Sequence, residues 1–493
     1  MSQEPANLYS VLGVSRGATQ EEIQAAFLGW HRRNEAGESI PGALWERIQY
    51  AHEVLRDPRR RQTYDSLIAD MAGPLLGLDL KVSASRLPLV DSAQVVYALA
   101  TVNPGETPDR GRKPLNLGLV IDRSTSMRGK RLEKVMSAVG LLLEKLGPDD
   151  TLSLVSFSDR AEIVLPAATL GKAARSADPE TVAAWSDPRR RLWSITASGG
   201  TEIVRGLRAG LDQVSRGANG NNISHLILMT DGHTYGDVAD CLKLAESAVA
   251  LGIGITAFGI GTDWNDNFLD ALVAPSGGQS HFIESPDHVL LHLEERLLGL
   301  GTIYARNLSL RRSWSGEIAL RSGFKLTPFP QPLTLDLDPI PLGDLEGRSP
   351  LTVLLEFLVA PQTIATRLQL PIDISFTPID GAEKTAVGVI PLMIEGESDL
   401  AAAPTVTLLE AARRLNLYRM QEKAWEDAES GKPGTAAARM RRLTSRYMET
   451  GDLRLARQAQ LEAEQLARQG AISAEGHKLL KYGTRSLIGQ IEP

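Results

Sequence analysis

Apolar and polar positions recur along this chain with several different periods, and each change of period marks a change of architecture. Between residues 7 and 66 the period is helical. Thr19 and Glu22 have capping-box spacing, and Ile23, Ala26, Phe27 and Trp30 follow on one helical face. Leu44, Ile48, Ala51 and Leu55 predict a second helix from about Ala43 to Leu55, stopped by Asp57-Pro58. Past Gly73-Pro74 the period drops to two. Leu78, Leu80 and Val82 alternate with Asp79, Lys81 and Ser83, which predicts a half-buried strand, and Gln94 to Val102 predicts another.

From about Leu115 to Leu300 strands and helices alternate. Leu117–Ile121, Leu152–Phe157, Leu226–Thr230, Ile253–Ile260 and Phe282-Ile283 read as strands, with Glu162–Pro166 as a hairpin partner of the second. Leu132, Val135, Val139, Leu142 and Leu146 mark an amphipathic helix, and 203–214, 241–251 and 289–300 read as others. That order predicts a doubly wound, mainly parallel sheet. Strand patterns return at 308–310, 351–359, 368–376 and 387–390. Strands on both sides of the α/β segment predict one antiparallel sandwich into which it is inserted, the Pro-rich stretch Thr327 to Pro350 serving as sandwich loops. Pro404 to Leu487 is charged and helical, broken at Gly431-Lys432-Pro433-Gly434, Gly451 and Gly470, which predicts three or four antiparallel helices. The expected fold class is therefore multidomain α/β. Its expected modules are 1–70 (helical), 75–110 (first sandwich strands), 112–300 (α/β), 301–398 (remaining sandwich strands) and 403–493 (helical bundle).

At 493 residues, three or four domains are expected. A net charge of −7 does not advertise nucleic acid or anionic membrane as a partner. The lone Cys241 excludes an intramolecular disulfide and fits a reducing compartment. The opening Met-Ser-Gln-Glu-Pro lacks a secretory pattern, and no apolar run is long enough to span a bilayer. A cytoplasmic protein is expected.

The buried run Leu117–Ile121 ends abruptly in Asp122, Ser124 and Ser126. Oxygen-bearing side chains at alternate positions of a turn can aim at one point, and carboxylate with hydroxyls makes a hard donor set, suited to Mg²⁺ or Mn²⁺. Ser198-Gly199-Gly200-Thr201 delivers a further hydroxyl, and a second buried run ends at Asp231. In a doubly wound sheet both carboxylates belong to the crevice beyond the strands' carboxyl ends. His233 and Tyr235 follow Asp231 and either line that rim or pack in its turn. Arg123 and Arg128 either pair with an acidic partner or face solvent. His288 and His292 stand one turn apart but lack a third ligand, so they read as solvated helix residues. Arg59-Arg60-Arg61 reads as a solvated helix end.

Asp122, Ser124, Ser126, Thr201 and Asp231 together resemble the metal-ion-dependent adhesion site (MIDAS) of the von Willebrand factor type A (VWA) domain, Asp-x-Ser-x-Ser, then Thr, then Asp, over about Leu115 to Leu300. The N-terminal module resembles a J-domain. Leu8-Tyr9-Ser10-Val11-Leu12-Gly13-Val14 matches its opening, and Ala51 to Pro58 with Tyr64-Asp65 matches its close. The His-Pro-Asp tripeptide which that family uses against Hsp70 is replaced by Glu35-Ala36-Gly37.

These resemblances imply a cytoplasmic, bacterial-type scaffold that is not an enzyme. It would bind a partner protein through a Mg²⁺- or Mn²⁺-completed site, the partner offering an acidic side chain. AAA+ ATPases and signalling enzymes are the partner classes implied. A co-chaperone adaptor acting with Hsp70 is the alternative, opposed by the missing tripeptide. A metal-dependent hydrolase is a third reading, opposed by the want of a base beside the two carboxylates.

Overall fold

The computed structural model describes residues 8–12, 14, 18–35, 42–61, 64, 76–105, 112–232, 236–314, 316–379, 383–395 and 405–490. Gly13, Ala36-Gly37, Asp65, Gly73-Pro74, His233 and Tyr235, all invoked above, lie outside the described residues. The chain divides into two compact units, 1–75 and 76–493.

In the first unit the helices Leu8–Leu12, Gln20–Glu35 and Gly42–Leu55 enclose Tyr9, Leu12, Ile23, Ile48, Ala51 and Leu55. The capping box forms as its spacing requires. Thr19 N donates to Glu22 Oε2 at 2.7 Å, and Glu22 N donates to Thr19 Oγ1 at 3.2 Å.

The second unit is built on three sheets. β1 (Leu76–Val82), β2 (Arg86–Pro88) and β3 (Gln94–Pro104) precede the α/β segment. That segment contains β4 (Leu115–Asp122), β5 (Thr151–Phe157), β6 (Ala161–Thr169), β7 (Ile223–Thr230), β8 (Gly254–Ile260) and β9 (Gln279–Ile283). After it come β10 (Ile303–Arg311), β11 (Ile318–Thr327), β12 (Gln331–Pro332), β13 (Ile340–Glu346), β14 (Leu351–Val359), β15 (Thr366–Pro378) and β16 (Lys384–Glu395). One sheet runs β1-β3-β14-β11-β12 and another β13-β10-β15-β16-β2. β3 pairs antiparallel with β14 along its length, from Gln94↔Val359 to Val102↔Leu351, so strands from both sides of the α/β segment share one sheet. The VWA-type segment is thus an insertion into a sandwich.

Besides the short β2 and β12, two longer strands differ from expectation. β11 was hidden by Arg321, Gly323 and Lys325, which interrupt its apolar alternation. The Lys325 ammonium is buried and donates to the carbonyls of Gly277 and Leu342, so a charge stands where a solvated residue would be read. The supposed loop Thr327 to Pro350 contains β13, whose Ile340, Leu342 and Leu345 are buried.

The inserted sheet runs β6-β5-β4-β7-β8-β9, parallel except for the β5–β6 hairpin. Every residue of β4 and β7 is buried, as strands covered on both faces should be. β4 has β5 on one side and β7 on the other, which makes its end the topological switch point. The helix Ile203–Gly217 lies tight on this sheet because Gly206 and Gly210 face it. A Cβ on Gly210 would sit 2.4 Å from Val120 Cγ2, and one on Gly206 would sit 2.5 Å from Phe157 Cδ1. This close approach sets the start of the helix, and with it Thr201, at the carboxyl end of β4.

The helices Val406–Glu429, Pro433–Glu449, Leu453–Gln469 and Ala474–Gly489 form a bundle around Trp425, Met440, Leu443, Tyr447, Leu455, Leu466 and Leu480. Gly431, Gly451 and Gly470 adopt positive φ at three of its helix ends, where a side chain would be strained. Among the described residues no helix is long and apolar enough to cross a membrane.

Candidate metal centre

β4 delivers Asp122 to the end of the sheet, fully buried. Its Oδ1 accepts from Ser124 N at 2.7 Å, folding the chain back so that Ser124 and Ser126 stand beside it. Its Oδ2 accepts from Thr230 Oγ1 at 2.6 Å, tying the end of β4 to the end of β7. Ser124 Oγ and Ser126 Oγ are 3.0 Å apart, and Ser126 Oγ donates to Asp231 Oδ1 at 2.7 Å. Asp231 is fully buried, Ser124 nearly so, and Ser126 is exposed, so the cluster opens to solvent on the Ser126 side.

The Gly-rich loop is clamped over this turn. Ser198 N donates to Arg123 O at 2.7 Å, Thr125 N to Gly199 O at 3.1 Å, and Gly200 N to Asp159 Oδ1 at 2.8 Å. Thr201 is buried, and a Cβ on Gly232 would lie 3.1 Å from its Oγ1, so its hydroxyl rests on the turn that follows Asp231. The cluster therefore brings Asp122, Ser124, Ser126 and Asp231 into one hydrogen-bonded set, with Thr201 against its edge.

Burial pushes the Asp122 carboxyl up to about 6, against the pull of its bonds from Ser124 and Thr230 and helped by the charge of Asp231. Its hydrogen-bond partners are all neutral. Of the two buried acids only Asp231 has a charged hydrogen-bond donor, the Arg131 guanidinium, which sits on its Oδ2 at 2.5 Å. Oxygen-only donors around a buried carboxylate with no cationic side chain bonded to it fit a hard divalent cation. Thr230 and Arg131 escaped the sequence reading. Thr230 immediately precedes Asp231 in the same motif, whereas Arg131 stands in the first turn of Lys130–Lys145 and carries no local sign of its role.

Two expectations are corrected. Arg123 neither faces solvent nor awaits a partner: its side chain is 16% exposed and donates to Ser198 Oγ at 2.8 Å, holding the Gly-rich loop. Arg128 is exposed. His288 is exposed as expected, but His292 packs its ring 5.6 Å from His281 and 6.3 Å from Phe258. Burial accordingly lowers its pKa. Among the described residues no cluster of three or more His, Cys, Asp or Glu forms a separate metal site.

Comparison with known proteins gives each module a relative. The profile of the von Willebrand factor type A domain matches residues 116–295, that of the DnaJ domain residues 7–65, and that of the Sll0103-like C-terminal alpha-helical domain residues 406–490. Uncharacterized protein sll0103 of Synechocystis sp. is 29% identical over 353 residues, 69% of this chain and 80% of that protein. The chaperone protein DnaJ of Thermosipho melanesiensis is 45% identical over 62 residues, 12% of this chain and 17% of that protein. The solved von Willebrand factor type A structure from Catenulispora acidiphila superposes with a TM-score of 0.65 at 16% identity, covering 83% of this chain and 96% of the other. That likeness extends the shared fold well beyond the α/β insertion. The chain thus carries a von Willebrand factor type A domain, with a DnaJ domain before it and an Sll0103-like helical domain after it.

Proposed function

We propose that this protein is a cytoplasmic scaffold that captures a partner protein through a divalent cation held by Asp122, Ser124, Ser126, Thr201 and Asp231. The observation that carries this reading is the hydrogen-bonded oxygen cluster at the switch point, with one buried carboxylate bonded only to neutral groups. Mg²⁺ or Mn²⁺ suits these donors, of which only Asp122 and Asp231 carry charge. A cation so held keeps electrophilicity for an incoming ligand, and it would supply positive charge to an Asp or Glu of the partner. The chain's net charge of −7 opposes long-range attraction of an acidic partner, so recognition is local to the cation. AAA+ ATPases and signalling enzymes remain the partner classes suggested by resemblance. A hydrolase is disfavoured because the bonded partners of the two carboxylates are hydroxyls, a backbone amide and an arginine, none of them a general base at neutral pH.

Affinity capture from the native host with the full chain tests this. The partner should be retained in Mg²⁺, lost in EDTA, restored when Mg²⁺ returns, and held more weakly by Thr201→Ala. Equal recovery in EDTA would show that the rim is not the interface.

The DnaJ match over 7–65 favours a second reading, an adaptor that works with Hsp70. The tripeptide position holds Glu35-Ala36-Gly37, which offers neither the imidazole nor the carboxylate of His-Pro-Asp. Adding the chain to an Hsp70 in a steady-state ATPase assay should leave turnover unchanged. Clear stimulation would bring the second reading to the front.

A further inference from the structure

We infer that Arg131 is a built-in counter-ion of the metal centre, which a divalent cation must displace from Asp231 toward Asp263 in order to bind. This rests on the metal reading above and names how that site is regulated. One guanidinium nitrogen of Arg131 lies 2.5 Å from Asp231 Oδ2, and the other lies 3.5 Å from Asp263 Oδ2. Asp231 is fully buried, whereas the Asp263 side chain is 66% exposed. The two carboxylates therefore differ in kind: the inner one belongs to the oxygen cluster, and the outer one stands clear of it. Arg131 is 31% exposed and has room to exchange the first for the second.

The outer seat is itself fixed. Gly261 adopts φ +75, and a Cβ there would lie 3.1 Å from Arg131 Nη2, so a side chain at this position would be strained and would crowd the guanidinium. Trp264 is buried and donates its indole N–H to Gly261 O at 2.8 Å. From the helical bundle, Lys478 Nζ donates to Thr262 O at 2.7 Å. The loop bearing Asp263 is thus held from both sides, and the bundle contributes to the placement of the second carboxylate.

A positive charge in contact with a metal ligand competes with the metal for that oxygen and repels the cation at short range. In a desolvated site both effects are large. Removing the charge while keeping a polar side chain should tighten Mg²⁺ binding by about tenfold or more. Asp263→Asn removes the charge of the outer seat, leaves Asp231 as the one carboxylate bonded to Arg131 beside the Ser126 carbonyl, and should weaken Mg²⁺ binding in the otherwise native chain. If Asp263 acts through Arg131, that substitution should have little effect once Arg131 is already Gln.

Titration calorimetry with MgCl₂, repeated with MnCl₂, on the full chain and on Arg131→Gln, Arg131→Lys, Asp263→Asn and the Arg131→Gln/Asp263→Asn double variant tests the inference. Tighter binding by Arg131→Gln, near-native binding by the charge-retaining Arg131→Lys, and a loss in Asp263→Asn that vanishes in the double variant support it. Measurable binding by the native chain that is unchanged or weaker in Arg131→Gln overturns it and leaves the metal reading standing. An equal Asp263→Asn effect in both backgrounds also overturns it, because Asp263 would then act on the cation directly. No binding by any variant sinks the metal reading and the inference with it.

Discussion

Asp122→Asn should abolish Mg²⁺ binding and leave the chain folded. Asp122 is one of only two charged groups in the oxygen cluster and is fully buried at the end of β4. Replacing its carboxylate by an amide removes half of the negative charge available to the cation and should lower affinity by more than about a hundredfold, since even groups that only orient a metal ligand are worth tenfold to a hundredfold. The fold survives for a separate reason. The amide oxygen can still accept from Ser124 N, and the Thr230 hydroxyl can rotate to accept from the amide nitrogen in place of donating at 2.6 Å. The charge that is lost is one whose ionisation burial already disfavours. Calorimetry and thermal melts, each with and without Mg²⁺, decide the matter. The native chain should melt higher with Mg²⁺, because a ligand of the folded state alone stabilises it, and the variant should not respond. Equal affinity in the two chains would remove Asp122 from the site.

What could be read from the sequence was what neighbouring residues encode among themselves. The runs ending at Asp122 and Asp231 are continuous apolar stretches closed by acids, and β4 and β7 are indeed covered on both faces. The capping box at Thr19 is likewise a contact three residues long. Some local signals went unread. Asp178-Pro179 and Asp187-Pro188 each start a helix, the Asp accepting from backbone N–H groups and the Pro standing at the first helical position. Other features had no local signal. Arg123 reads as a surface residue because the hydroxyl it holds, Ser198, is 75 residues away. Lys325 breaks the pattern of β11 because its partners are carbonyls of Gly277 and Leu342, on other elements. Arg131 reaches Asp231 across 100 residues. In each case a charge that looks solvated along the chain is satisfied by something brought to it only by the fold.

The largest stability effect should come from the same kind of long-range pairing, where the last helix meets the VWA domain. Lys481 and Arg485 of Ala474–Gly489 are buried, at 2% and 4% exposure, and face Asp266 and Asp270 of the helix Asp266–Val273. Arg485 grips Asp270 with two nitrogens at 3.1 and 2.6 Å, Lys481 lies 3.0 Å from Asp270, and Lys481 also bonds Asp266. Asp270→Asn leaves Lys481 with Asp266 alone and strips the buried Arg485 of its bonded carboxylate, and it should cost about 3–5 kcal/mol, the loss expected when one partner of a buried ion pair is removed. Burial alone would push the Asp270 carboxyl up, but Arg485 and Lys481 together hold it well below the usual carboxylate range. A carboxyl depressed in the folded state contributes stability that is full above its unfolded value, about 4, and is lost as pH falls below it toward the folded value. The difference between the native chain and Asp270→Asn should therefore be constant from pH 7 to pH 5 and shrink only in stronger acid. Urea unfolding across that range measures it. Adding Arg485→Met to Asp270→Asn should recover part of the loss, because the unpaired guanidinium goes with it. A loss below about 1 kcal/mol for Asp270→Asn, the scale of an exposed pair, would mean that water reaches these charges and that packing around Tyr482 and Trp264, not the ion pairs, joins the bundle to the VWA domain.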